Sequence, residues 1–184
     1  MKELIISLIM VACTYSGCFA QANYKQETAL ALAKCVRAEC DTCRKPKERD
    51  AIAWVLKKQS ILTGRTFHKQ IIAYCAVFDR ANERANNIWN STFERPLHGR
   101  KKWWSEAREW AIAFIESPPT DPLPLAMHWG GNMDTPRAVR AGWIRIAGPP
   151  DYVNTFWGYN GRTRKIIQKK LKKVLAWKHK TRYV

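Results

Sequence analysis

One carboxylate, Glu39, lies among three closely spaced cysteines, Cys35, Cys40 and Cys43, shortly before the apolar segment that follows Pro46. Cysteines at this spacing suggest a metal site, a disulfide or a redox pair, whereas a lone glutamate suggests acid–base chemistry. The spacing C-x4-C-x2-C is unusual for zinc, and no second C-x2-C or H-x3-H pair completes four ligands. We therefore expect no metal site, and the sequence gives no sign of an organic cofactor.

Cleavage of a glycosidic bond is a reaction for which a buried glutamate is suited. The general acid has to be protonated near neutral pH, and burial against apolar groups raises the pKa of a carboxyl group into that range. Hydrolysis usually needs a second carboxylate. A single Glu suffices in peptidoglycan if the 6-hydroxyl of N-acetylmuramic acid attacks its own C1, because the Glu then acts first as acid and later as base.

Four segments follow one another between about residues 29 and 159: LAKCVRAECDTCRKPKERDAIAWVLKK, TFHKQIIAYCAVFD, WWSEAREWAIAFIESPPTDPLPLAMHWGG and GPPDYVNTFWGY. In this order they resemble the successive motifs of the SleB-like cell-wall hydrolases, the spore-cortex-lytic family. The resemblance implies a lysozyme-like fold. It also implies cleavage between N-acetylmuramic acid and N-acetylglucosamine, as a lytic transglycosylase with Glu39 as the catalytic acid and base.

Within these segments, individual residues match positions of the family motifs. Glu39 matches the first Glu of a Glu-Ala-Arg-Gly-Glu-type motif, and Phe78 matches the Phe of Gln-Phe-Ser. Phe156 and Trp157 match the aromatic pair of the closing Gly-x-His-x-Phe-Tyr element. The match places Glu39 in the catalytic position.

The chain also departs from the family pattern. Cys43 stands where the family has its second Glu, Val77 where it has the Gln, and Asn154 where it has the His. These departures affect the expected substrate contacts and leave the single-carboxylate chemistry intact.

Several side chains are candidates for contact with the sugar, by stacking or by hydrogen bonds. The candidate substrate-binding residues are Phe78, His128, Trp129, Asn154, Trp157 and Tyr159, with Tyr74 as a further hydrogen-bonding candidate. A structural role in a turn is the alternative for His128. Three further carboxylates could replace Glu39 as the acid: Asp79, Asp134 and Asp121, of which Asp121 is better explained as a turn residue before Pro122.

The N-terminus predicts export. Lys2 precedes an apolar run, and Ala20-Gln21-Ala22 is an A-x-A cleavage pattern that would make Asn23 the first mature residue. The uncharged stretch Leu4–Ala22 is alternatively long enough for a transient inner-membrane anchor, and Cys13 ends a loose lipoprotein-type box. We expect a protein of the periplasm or cell envelope.

An exported chain meets oxidising conditions, so disulfides are favoured for the four cysteines after residue 22. These are Cys35, Cys40, Cys43 and Cys75, for which three pairings are possible. If the anchor is retained, exchange of a disulfide between Cys13 or Cys18 and Cys40 is a hypothesis for switching the site on.

The periodicity predicts a mainly helical (α+β) domain with a small β or loop region. We expect helices at 28–38 (with Thr28 as N-cap), from Pro46 to before Gly64, at 68–75 with Ile71, Ile72 and Cys75 inward, at 80–89 and at 103–115. Two short strands are expected near 127–129 and 155–157. Residues 162–182 hold ten Lys or Arg and no acid, which predicts a basic amphipathic helix.

The predicted organisation is an export segment (1–22), a catalytic domain (23–160) and a basic tail (161–184). The net charge of +17 favours anionic partners. We expect a monomer that binds peptidoglycan glycan strands, with an anionic membrane or wall polymer as partner of the tail. Export argues against nucleic acid. The expected use is wall remodelling or phage lysis, and the alternative is a secreted cationic membrane- or wall-binding protein without catalysis.

Overall fold

The computed structural model describes residues 2–39, 46–74, 92, 94–95, 101–130 and 135–181. The helices are α1 (Lys2–Glu39), α2 (Pro46–Thr63), α3 (Phe67–Tyr74), α4 (Lys101–Glu116), α5 (Thr135–Arg140) and α6 (Gly161–Thr181). The strands are β1 (His128–Gly130), β2 (Trp143–Ala147) and β3 (Thr155–Tyr159). The chain is therefore mainly helical with a small antiparallel sheet, as predicted. The helix expected at 80–89 lies outside the described residues.

Helix α1 begins far upstream of the start predicted at Thr28. Thr28 lies inside the helix, and its Oγ1 donates a hydrogen bond to the Tyr24 carbonyl at 2.7 Å. The N-cap prediction was wrong because the backbone of residues 2–27 is already helical, so the threonine hydroxyl bonds back to the preceding turn.

No helix in the described part of the chain has the length and apolar character that a membrane span requires.

The core forms where α1, α2 and α4 pack together. Leu32 and Val36 of α1, Ile52 and Leu56 of α2 and Phe114 of α4 are all at most 1% exposed. Because residues three and four apart share one face of a helix, the pairs in α1 and α2 show that one side of each of these two helices points inward. This packing holds the end of α1, and so Glu39, against the rest of the domain.

Helix α2 has the predicted ends, whereas the prediction for α3 contains an error. Pro46 opens α2 at its first turn, and Gly64 follows its end with a φ of 72°, a conformation that favours glycine. In α3, Ile71 is fully buried but Ile72 is 41% exposed. Placing both inward was wrong because successive residues of a helix do not share a face.

The sheet has the order β1-β3-β2, and both pairings are antiparallel. Two of its strands lie where they were predicted, whereas β2 was not predicted. A Cβ on Gly158 of the central strand would lie 2.5 Å from the Leu125 carbonyl oxygen, so this position excludes any side chain. The absence of a side chain at Gly158 lets β3 pack closely against the segment that leads into β1.

The proline-rich segment after α4 is hydrogen-bonded to α2. The Nζ of Lys58, which is 3% exposed, donates to Asp121 Oδ2 and to the Leu123 carbonyl, both at 2.9 Å. Trp54 Nε1 donates to the Pro119 carbonyl at 2.9 Å. These contacts fix the path of the chain into β1, which carries two of the candidate site residues.

Candidate active site

Glu39 is the last residue of α1, and two parts of the sheet region hold it. Trp129 of β1 donates its indole Nε1–H to Glu39 Oε2 at 3.1 Å. Asn154, just before β3, donates its Nδ2–H to the Glu39 carbonyl at 3.0 Å. The second bond satisfies a carbonyl at the helix end that has no partner within the helix. Both the backbone and the carboxylate of Glu39 are thereby positioned by residues some 90–115 positions away.

A second carboxylate, which the sequence analysis missed, supports this arrangement. Glu48 in the first turn of α2 is fully buried, and its two oxygens accept three hydrogen bonds. The donors are the backbone N–H of Val153 (2.9 Å), the backbone N–H of Asn154 (2.8 Å) and Asn154 Nδ2 (3.0 Å). The Asn154 amide therefore joins the Glu39 carbonyl to the Glu48 carboxylate. We call these three residues the carboxylate bridge.

An aromatic wall extends from Glu39 through Trp129. The ring of Tyr74, at the end of α3, lies with its centroid 4.8 Å from that of Trp129. The Tyr74 hydroxyl is 2.9 Å from Nδ1 of His128. This series of contacts links the predicted catalytic carboxylate to three of the predicted sugar-contacting side chains.

His128 lies at the centre of a hydrogen-bonded aromatic cluster. Its Nε2 is 2.9 Å from the Tyr159 hydroxyl, and its ring stacks on Trp143 with centroids 3.8 Å apart and planes 4° apart. Burial, followed in size by the charge of Arg137, lowers the pKa of His128 to about 4. The ring is therefore neutral near pH 7, so one nitrogen donates to a tyrosine oxygen while the other accepts a tyrosine O–H.

The Tyr159 hydroxyl of this cluster stays protonated at neutral pH. Burial raises the pKa of Tyr159 further above its usual value near 10. Gln59 of α2 donates from Nε2 to the Met127 carbonyl at 2.7 Å and so fixes the entry to β1 beside His128. A neutral His128 accordingly serves as a rigid hydrogen-bonded connection between α3 and the sheet.

The other predicted site residues lie in varied surroundings. Trp157 is 6% exposed, so little of its ring face is open to stack on a sugar. Asn154 is 7% exposed, and its amide nitrogen bonds to the carboxylate bridge. Asp121 accepts from the Leu123 backbone N–H at 2.9 Å, the turn geometry expected of it. Phe78, Asp79 and Asp134 lie outside the described residues.

Of the cysteines predicted to form disulfides, Cys35 is disulfide-bonded and fully buried. Cys40, Cys43 and Cys75 lie outside the described residues, so the pairing and the proposed exchange with Cys13 or Cys18 remain predictions. Among the side chains that are described, no group of three His, Cys, Asp or Glu is arranged to hold a metal ion.

The lowered pKa of His128 predicts a pH-dependent stability. The unfolded chain takes up a proton near pH 6.5 and the folded one only near pH 4, so the free energy of unfolding should fall as the pH drops through that window. We expect a loss of about 2 kcal/mol, because the partial exposure of the ring weakens the effect. Urea unfolding at pH 7 and pH 4.5 measures it. The loss should shrink in His128→Gln, and an equal loss in that variant would contradict the assignment.

The local sequence around Glu48 does not indicate that this side chain is buried. A glutamate in the first turn of a helix is normally explained by its favourable interaction with the helix dipole, and it is expected to be exposed to solvent. Its burial depends on the turn at 152–154, which lies more than 100 residues away in the chain. Local periodicity carries no signal for such a contact.

Comparison with known proteins does not indicate a function for this site. The sequence matches no protein-family model, and neither the curated proteins nor the solved structures include a significant match.

Proposed function

We propose that the protein is a peptidoglycan-cleaving enzyme, a lytic transglycosylase that cuts between N-acetylmuramic acid and N-acetylglucosamine. Glu39 is its single catalytic acid and base. The observation that carries the proposal is the placement of Glu39 at a helix end, half-buried, with its carboxylate held by the indole N–H of Trp129. The resemblance of four ordered sequence segments to SleB-like hydrolases supports the same function.

The surroundings of Glu39 favour chemistry with one carboxylate. Within the described residues, the other carboxylate of this hydrogen-bond network is Glu48, which is fully buried and accepts three hydrogen bonds. A carboxylate so enclosed reaches neither a water molecule nor a sugar. Glu48 therefore serves as support, and internal attack by the substrate removes the need for a second catalytic carboxylate.

The reaction then runs in two proton transfers. Protonated Glu39 gives its proton to the glycosidic oxygen as the bond to C1 of N-acetylmuramic acid breaks. The Glu39 carboxylate next takes the proton of the 6-hydroxyl as that oxygen bonds to C1, which yields the 1,6-anhydro sugar and restores the acid. The Trp129 N–H holds the carboxylate in place through both steps, and the rigid Tyr74–His128–Tyr159 cluster holds Trp129.

Helix α6 supports a role at an anionic envelope. Leu171 is 6% exposed and Ile167 is half-buried, so the apolar side of the helix packs on the protein itself. The outward side presents exposed cations, namely Arg162, Arg164, Lys165, Lys169, Lys172 and Lys173. This arrangement suits electrostatic attraction to a polyanionic surface and leaves less apolar surface for insertion into a bilayer. The exposed cations of α6 also favour the alternative, a protein that binds the envelope without catalysis.

Product analysis tests the proposal. The purified full-length chain is incubated with peptidoglycan sacculi, and the released fragments are identified by mass spectrometry. We expect fragments that end in 1,6-anhydro-N-acetylmuramic acid. Fragments with reducing ends would show hydrolysis and a second carboxylate in the mechanism. Binding to sacculi without any released fragment would reject the enzyme and favour the cationic binding protein.

A further inference from the structure

Helix α6 carries a row of cations on its outer side. Arg162, Lys165, Lys169 and Lys173 recur at spacings of three and four residues, so they share one side of the helix. All four residues are exposed to solvent. At 1.5 Å per residue, the row is about 16 Å long. We call these four residues the cationic row.

Acidic side chains do not neutralise the cationic row. The sequence contains no Asp or Glu after Asp151, so no cation of the row has an acidic neighbour one helical turn away. Within the described residues, none of the ion pairs involves α6. The row therefore presents a local excess of positive charge, which attracts an anionic surface.

An apolar side chain lies within the cationic row. Ile166 is 59% exposed. Its neighbours four residues before and after it are Arg162 and Lys170, and Lys169 lies three residues after it. At an anionic membrane, cations so placed pair with lipid headgroups, while an apolar side chain reaches the boundary of the acyl chains. A hydrated wall polymer offers Ile166 no apolar layer, so the combination favours a membrane.

The inner side of α6 is already occupied by the protein itself. Leu171 is 6% exposed, and Ile167 and Val174 are half-buried. Lys170 Nζ donates to the Leu62 carbonyl near the end of α2 at 3.0 Å. Since these contacts hold the helix on the domain, α6 can meet a membrane only with its outer side, lying parallel to the surface.

We propose that the outer side of α6 docks on the surface of an anionic phospholipid membrane. The cationic row binds the headgroup phosphates, and Ile166 enters the boundary between the headgroups and the acyl chains. The docking goes beyond the proposed function and does not depend on Glu39. It holds the protein at the membrane by its surface, without a spanning segment.

Lysine footprinting on vesicles tests the proposal at the helix itself. The full-length chain is treated with an amine-acylating reagent, with and without vesicles that are about one-quarter phosphatidylglycerol in phosphatidylcholine. Mass spectrometry then gives the modification rate of each lysine. We expect the rates at Lys165, Lys169 and Lys173 to fall at least about threefold with these vesicles and to stay unchanged with pure phosphatidylcholine. Lys47 and Lys102, exposed lysines of α2 and α4, should react at the same rate throughout.

Two variants separate the contributions of charge and apolar contact. The lipid concentration that half-protects Lys173 should rise about twentyfold in Lys165→Gln/Lys169→Gln, because each cation near the surface contributes about a fivefold gain in affinity. The matched control, Lys47→Gln/Lys102→Gln, removes the same charge outside α6 and should change this concentration less than about twofold near physiological ionic strength.

Ile166→Ser keeps every charge of the cationic row and should raise the half-protecting lipid concentration about threefold or more. Equal protection in this variant and the parent would overturn the choice of a membrane, because charge alone would then account for the binding. Absent protection with anionic vesicles, or equal protection with pure phosphatidylcholine, would also overturn the proposal. Protection by isolated sacculi but not by vesicles would assign the cationic row to a wall polymer instead. Because the vesicles contain no glycan, failure of the docking is distinct from failure of the cleavage.

Discussion

Replacing Glu39 with glutamine should lower the rate of fragment release from sacculi by a factor of about 10²–10⁴, the range typical of general acid–base catalysis. The amide neither gives up nor accepts a proton at neutral pH, so both proton transfers fail. Its carbonyl oxygen can still accept the Trp129 N–H that now binds Glu39 Oε2. We therefore expect the fold to persist, with a change in the free energy of unfolding of less than about 1 kcal/mol.

Initial rates of release of soluble fragments, followed with the parent and variant at equal concentration, measure this effect. The matched control is Glu27→Gln, which makes the same change at an exposed position of the same helix, three turns earlier. The control should retain the parent rate. A loss below about tenfold in Glu39→Gln would remove Glu39 from the catalytic role and direct attention to Asp79 or Asp134.

The fold was predictable where local chemistry marks the ends of elements. Pro46 and Gly64 bound α2 in the sequence as in the structure, and the apolar stripe of α4 predicted its extent to within two residues. Strand β2 (Trp143–Ala147) was missed because its residues are half-buried or exposed without clear alternation. Its position depends on pairing with β3, which local sequence does not reveal.

Three residues of the candidate site were predictable from the sequence, but Glu48 and the connections between the residues were not. Glu39, Trp129 and Asn154 were all singled out, and the structure brings them together through two hydrogen bonds. Asn154 was expected to contact the substrate, yet its amide bonds to the backbone of Glu39 and to Glu48. A bond that joins residues more than 100 positions apart follows from tertiary packing, which motif spacing cannot encode.

The carboxylate bridge gives the second large prediction. Glu48→Ala should lower the free energy of unfolding by about 3 kcal/mol, because the backbone N–H groups of Val153 and Asn154 lose their acceptor inside the protein. The melting temperature should then fall by about 6–12 °C. Glu48→Gln keeps one acceptor oxygen and should lose only about half as much. Thermal and urea unfolding measure both changes, and Glu109→Ala, at an exposed position of α4, should stay within about 0.5 kcal/mol of the parent.

The Glu48→Ala variant also tests whether the carboxylate bridge positions Glu39 for catalysis or only stabilises the fold. Within the described residues, the Asn154 amide connects Glu48 to Glu39, because it bonds to the Glu48 carboxylate and to the Glu39 carbonyl. Glu48→Ala should therefore reduce the rate of fragment release by about tenfold, measured well below its melting temperature, since the catalytic carboxylate loses its fixed position. Asn154→Ala should reproduce most of this loss of rate. If Glu48→Ala were as stable as the parent, the three hydrogen bonds assigned to the buried Glu48 carboxylate would be wrong. If it lost stability but kept the full rate, the carboxylate bridge would support the fold without positioning Glu39.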